Sequence, residues 1–390
     1  MVYPRDLNDV WRTYVFEKTG SSLIAINSDC VISHDAVLTF VISMNGTSST
    51  LVSKIWGCLL GSAIGNAMGS IVENWPYERI EKTYGKIEMP LHLERIRTED
   101  DHRIAMLYTE AYLKYQRSIT PEDLAEIWKE KFTNSDQFFW CMRNSLELLR
   151  RGISPRQTGM YNINTGSAIM AIAPIGIYNM FEPDKAYAEA LDLAYMYQPE
   201  PDAQCAAAMA AGFAEAFSPD ATVDSIVATI HDHALDKDMV YWDDRKVNNL
   251  KTAVDIGIDI ADKHGADWWS ARKDVCDRLG QWHAIEPIEV LSITVSLFKM
   301  TGGNYTEGVI AGTNTGRDSD TISNLIGGLC CAMHGLEAIP ADWREGVLEV
   351  NPALHDKFGQ VSREFAAILV KKFEMYKKYW SYADKLTRLV

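Results

Sequence analysis

The chain has 390 residues, 47% of them hydrophobic and 23% charged, a balance that suits a globular protein with a sizeable buried core and excludes disorder as the default. Its 38 Lys and Arg against 53 Asp and Glu leave a formal charge of −15, which repels phosphate backbones and anionic lipid and argues against nucleic-acid and membrane partners. Seven scattered cysteines without CxxC spacing, a start carrying Asp6, Asp9 and Glu17 in place of a signal peptide, and apolar runs too short to span a bilayer together predict a cytoplasmic location without a zinc framework.

In chain order, residues 1–50 read as a partly extended N-terminal extension, with a helical stretch near 7–16 and strand-like alternation at 23–26 and 37–42. Residues 51–390 read as a single all-helical domain, since no linker or charge block divides them. Its first helix carries Gly57, Gly61, Gly65 and Gly69, each weakening a helix by roughly 1 kcal/mol relative to alanine. Such a stripe admits another backbone or a ligand, which puts this helix at the centre of the bundle. Further helices are expected near 101–117, 135–151, 165–181, 184–196, 203–217, 222–235, 244–264, 267–280, 286–300, 321–335 and 357–382, together with a clear start at Thr120-Pro121-Glu122-Asp123. The segment 312–316 reads as flexible, and Lys371, Lys372, Lys377 and Lys378 as a solvated basic face. The sum is an all-α orthogonal helical bundle.

Two acidic clusters stand out. Thr98-Glu99-Asp100-Asp101 precedes the helical run at 104–113, and Asp318-Ser319-Asp320-Thr321 precedes the run at 322–333. Each alone reads as helix capping. Asp318 and Asp320 are two apart, so they converge only if the backbone there is still a loop. Together, five carboxylates are costly unless a cation neutralises them, and oxygen-only ligands suit Mg²⁺, Mn²⁺ or Ca²⁺. Five carboxylates and two hydroxyls exceed what one Mg²⁺ takes from protein, so two ions are expected.

The residues from Gly57-Cys58-Leu59-Leu60-Gly61 to Gly69, then Asp100-Asp101, then Gly316-Arg317-Asp318-Ser319-Asp320-Thr321-Ile322 resemble, in order and separation, the ADP-ribosylglycohydrolases of the type that reactivates dinitrogenase reductase. The resemblance covers roughly 52–337. It implies an all-helical fold that holds two Mg²⁺ or Mn²⁺ ions and hydrolyses the bond at C1 of a terminal ribose. The substrate would be a small ribosyl or ADP-ribosyl molecule, or an ADP-ribosylated protein. Asp100, Asp101, Asp318, Asp320 and Thr321 are the implied metal ligands, with Glu99 as an added one. Glu73, Asp101 and Asp318 are the implied catalytic groups. Thr165-Gly166-Ser167 matches the segment whose backbone N–H groups hold a pyrophosphate at a helix N-terminus.

Several positions mark a divergent member. Glu99 stands where the family usually has threonine, and His102 where another threonine is common. Arg317 replaces a frequent glycine and offers a cation to a substrate anion. Gln157-Thr158-Gly159 replaces an Asp-Ile-Gly turn, Met170 a frequent arginine, and Tyr197-Gln198-Pro199 a histidine-bearing stretch. These departures keep open a non-catalytic relative that binds ADP-ribose or nucleotides. His231-Asp232-His233 raises a weaker alternative, a metal phosphohydrolase. Trp242, Trp268, Trp269 and Trp282 read as core.

Overall fold

The computed structural model describes residues 50–97, 99–132, 139–238, 246–281 and 283–387. The expected extension lies outside these residues except for Thr50, as do Thr98, Trp242 and Trp282. The described chain is all-α, with isolated bridges as its only β pairing. Its first half contains α1 (Thr50–Gly69), α2 (Tyr77–Tyr84), α3 (Asp100–Tyr115), α4 (Pro121–Lys131), α5 (Trp140–Arg150), α6 (Ala173–Tyr178), α7 (Pro183–Ala194) and α8 (Asp202–Ala216). The second half contains α9 (Val223–His233), α10 (Leu250–His264), α11 (Trp268–Leu279), α12 (Pro287–Met300), α13 (Tyr305–Thr315), α14 (Ser319–His334), α15 (Ala341–Val350) and α16 (Pro352–Thr387). The start at Thr120 forms as expected, a capping box in which Asp123 N donates to Thr120 Oγ1 and Thr120 N to the Asp123 carboxylate.

Three local expectations fail for identifiable reasons. The helix expected over 165–181 is reduced to a 3-10 turn at Ile169–Ala171 and the short α6, because Gly166 adopts φ 71° and Pro174 has no N–H to donate. The segment 312–316 is the buried last turn of α13 and its cap, pinned by Asn314, whose side chain bonds both N and O of Ile87. Lys372 is 7% exposed, and its ammonium donates to Tyr178 O and to Glu182 at 2.8 Å each. The tryptophan reading holds for Trp268, which is buried and donates to Glu307.

The glycine stripe explains how the centre is assembled. A Cβ added at Gly57, Gly61, Gly65 or Gly69 would lie 2.6 Å from Leu336 N, 2.7 Å from Cys331 Sγ, 2.3 Å from Ser323 O and 2.2 Å from Ser319 O. Successive glycines thus meet positions progressively nearer the start of α14, so α1 and α14 run antiparallel with their backbones almost touching. The partner that the stripe admits is a helix backbone. Gly65→Ala should destabilise by about 1–3 kcal/mol, because the obstacle is main chain and overpacking exceeds the helix-propensity gain of about 1 kcal/mol. Gly346→Ala in α15 would meet only Leu93 Cδ1, the end of a flexible side chain, and should be neutral or stabilising. Urea denaturation of the two variants separates close backbone approach from helix propensity.

Candidate active site

The close approach of α1 and α14 sets Glu73 beside Asp318. Beyond Gly69 the chain turns through Asn74 at φ 63° and pairs with the turn before α14. Asn74 N donates to Arg317 O at 2.7 Å, Arg317 N to Trp75 O at 3.0 Å, and Pro76 bridges Gly316. Gly316, at φ 71°, is required there, since a Cβ would lie 2.2 Å from Trp75 O. Ser319 Oγ also donates to Gly69 O at 2.9 Å.

Asp318 is the N-cap of α14 with ψ 59°, outside the helix, which meets the condition for Asp318 and Asp320 to converge. Glu73, Asp318 and Asp320 each offer a carboxylate oxygen within 4.8 Å of the others. Asp318 and Asp320 are 4% and 5% exposed, and Thr321, 3% exposed, follows in the same turn. On the facing side, Glu99 stands at the N-cap position of α3 without a capping side-chain hydrogen bond, and Asp100 and Asp101 occupy its first turn. Asp101 is 2% exposed and accepts from Asn324 Nδ2 at 2.9 Å. That amide also donates to Met170 O at 2.7 Å, so Asn324, one turn beyond Asp320, fastens α3 to α14.

The six carboxylates act on one another. Burial, then the Asp320 and Asp100 charges, pushes Asp101 well above the usual carboxylate range. Burial followed by Asp320 does the same to Asp318, and burial followed by Glu73 to Asp320. Glu73, Glu99 and Asp100 are raised chiefly by burial. Arg95 and Arg103 supply nearby positive charge, Arg95 lying 3.6 Å from Glu99. Asp320 Oδ1 is buried without a hydrogen-bond partner among the described residues. An oxygen-only, mutually repelling set with an unpartnered inward oxygen suits a hard divalent cation.

A family model for ADP-ribosylglycohydrolase matches residues 47–378. The chain belongs to the ADP-ribosylglycohydrolase family. It is 24% identical over 306 residues to the uncharacterized protein YegU of Escherichia coli, covering 73% of this chain and 89% of that protein. An uncharacterized protein of Archaeoglobus fulgidus is 25% identical over 303 residues, covering 75% and 91%. A solved structure described as an ADP-ribosylglycohydrolase-related protein complex shares the fold at TM-score 0.58 and 18% identity, covering 82% of this chain and 99% of that one. No described helix is long and apolar enough to cross a membrane.

Within this ADP-ribosylglycohydrolase fold, other expected site residues stand further from the acidic trio or are engaged elsewhere. Arg317, at φ 63°, grips the fully buried Glu289 through Nε at 2.6 Å and Nη2 at 2.7 Å, and also donates to Gln281 O. Thr165 and Ser167 are buried with their hydroxyls 2.8 Å apart, and Thr165 N donates to Gln198. The next amides, Ala168 N and Ile169 N, donate to the Asp202 carboxylate at 2.8 and 3.2 Å, so an internal anion already satisfies them. His102 packs on Phe358, and burial pushes it down to about 3. Gln157 is exposed at the start of a 3-10 turn. His231 and His233 pair with Asp255 and Asp184 at the surface.

Sequence reasoning missed Asn324, Glu289 and Asp202. The helix expected near 286–300 starts with Glu286 as its cap, accepting from Glu289 N. Nothing in the sequence marks Glu289 as the partner of Arg317. Burial and then the nearby Glu286 charge push Asp202 up to about 7 from 3.8. Because the folded form holds this proton more tightly than the unfolded chain, the contribution favours folding at low pH and is lost as pH rises from about 4 to about 7. Asp202→Asn should therefore flatten the fall in urea midpoint of chelator-treated protein between pH 5 and 8.

Proposed function

We propose that the chain is a Mg²⁺- or Mn²⁺-dependent hydrolase of the bond joining C1 of a terminal ribose to its leaving group, in ADP-ribose-linked or related ribosyl substrates. The carrying observation is the convergence of Glu73, Asp318 and Asp320 beside Asp100 and Asp101 in a member of this family. We assign the activity to one helical domain over 51–390, acting in the cytoplasm. Glu99, Asp100, Asp101, Asp318, Asp320 and Thr321 would hold two ions. Bound cations supply charge neutralisation, orientation of the ribose hydroxyls and acidification of water.

The protein's own groups would do the rest. Glu73, partly exposed at the edge of the cluster, is the base that takes a proton from water attacking C1, with Asp318 beside it and Asp101 assigned as a further catalytic carboxylate on the α3 side. The Thr165-Gly166-Ser167 segment is assigned, through its backbone, to the distal part of the substrate. Arg317, whose Nε and Nη2 hold Glu289, keeps 23% of its side chain exposed beside Asp318, and that exposed remainder is assigned as an anion contact.

The test is incubation with Mg²⁺ or Mn²⁺ and a panel of ADP-ribosylated arginine, ADP-ribosylated serine and simple ribosides, with a chelator control. Metal-dependent release of a ribosyl product supports the reading. Release of inorganic phosphate would instead indicate a phosphohydrolase, and turnover of nothing a binding relative.

A further inference from the structure

We propose that Asn66 and Ser62 hold a buried water beneath Asp101, and that Asn66 is thereby a positioning residue for that carboxylate. The inference concerns the glycine helix and rests, for its link to catalysis, on the reading of Asp101 as a metal ligand. Asn66 is 0% exposed, and neither its Nδ2 nor its Oδ1 has a hydrogen-bond partner among the described residues. Ser62 Oγ, one turn earlier on the same face of α1, is buried and likewise unpartnered. Both line a cavity of about 10 Å³ together with Asp101, His102, Met170 and Asn324. That is close to the lower limit for one water molecule.

The chemistry of the walls selects the occupant. Leaving both ends of a buried amide unmade costs more than ordering a water. Asn66 offers a donor and an acceptor, Ser62 either, and the Asp101 carboxyl acceptor oxygens. A cation could satisfy the oxygens but not Asn66 Nδ2, whereas a water accepts from that amide and donates to Asp101. The Asn324 amide nitrogen is already committed to Asp101 Oδ1 and Met170 O. Asp101 is thus gripped directly from α14 and through water from α1, the two helices whose backbones meet along the glycine stripe.

The experiment combines a high-resolution crystal structure of the wild type with Mn²⁺ titration calorimetry of wild type, Asn66→Leu and Asn66→Ser. The expected structure has a water within hydrogen-bond distance of both Asn66 and Asp101. Asn66→Leu, which fills the cavity and removes both polar ends, should weaken Mn²⁺ binding by at least about tenfold, the loss typical of an outer ligand support. Asn66→Ser, which keeps a hydroxyl facing the cavity, should recover most of it. Absence of solvent density in the wild-type cavity overturns the proposal even if Asn66→Leu fails to fold. So does an Asn66→Leu variant that binds Mn²⁺ as tightly as the wild type. A wild type that binds no Mn²⁺ would defeat the metal reading and the positioning role, while the density still judges the water site by itself.

Discussion

Asp320→Asn should lower kcat/KM for a ribosyl substrate by at least about a hundredfold and, in the same protein, raise the melting temperature of the metal-free form. The activity loss follows if Asp320 is a direct ligand, since changing even the outer partners of a metal ligand costs about 10–100-fold. The gain in stability follows from geometry. Asp320 is 5% exposed, its Oδ1 has no described partner, and burial and the Glu73 charge oppose its ionisation. An amide of the same shape removes one of several buried like charges. Saturating Mn²⁺ should reverse the order, stabilising the wild type by mass action and the variant far less. Melting curves with and without Mn²⁺, beside kinetics, read both effects. A variant less stable than the wild type in chelator would mean that Asp320 serves packing and not a cation.

Arg317→Ala is expected to cost about 3–5 kcal/mol in urea denaturation, the range for removing one partner of a buried ion pair. Glu289 is fully buried, and Arg317 supplies two of its hydrogen bonds, so truncation leaves a desolvated carboxylate with Gln281 N as its remaining described donor. Arg317→Gly should cost about 1 kcal/mol less than Arg317→Ala, because residue 317 sits at φ 63°, where only glycine is free of Cβ strain. The difference between the two variants measures the backbone strain, and what they share measures the ion pair. Equal losses would show that the left-handed turn imposes no cost. Either change should also weaken Mn²⁺ binding, since Asp318 follows directly and the turn is bonded to the Glu73 loop.

Local chemistry made much of this legible from residues alone. Four glycines at every fourth position specify a face without side chains, and the structure fills it with the α14 backbone. The two acidic clusters were visible because each immediately precedes a helical run. Their meeting was expected from the summed charge and the family resemblance, but not its means: Asp101 and Asp318 are brought together by the α1–α14 contact and by Asn324, which no local pattern announces. Glu73 was recognised only through the family resemblance. Its place in the trio depends on left-handed residues at Asn74, Gly316 and Arg317, and the sequence flagged only the glycine among these. Arg317 illustrates the limit most clearly. Beside an acidic loop it read as a cation for substrate, and nothing local announced that a glutamate 28 positions earlier also binds its guanidinium. Asp202 was silent for the same reason, since its partners, Ala168 N and Ile169 N, are main-chain groups 34 and 33 positions away.

The acidic clusters from α3, the Glu73 loop and α14 would form one divalent-cation site. Its most direct measurement is Mn anomalous diffraction from Mn²⁺-soaked crystals of the wild type, with calorimetry on the same preparation. The expected result is anomalous density bounded by Glu73, Asp318 and Asp320 and by the α3 carboxylates, with saturable binding that Asp318→Ala/Asp320→Ala abolishes. A folded wild type that shows neither density there nor heat of binding would contradict it.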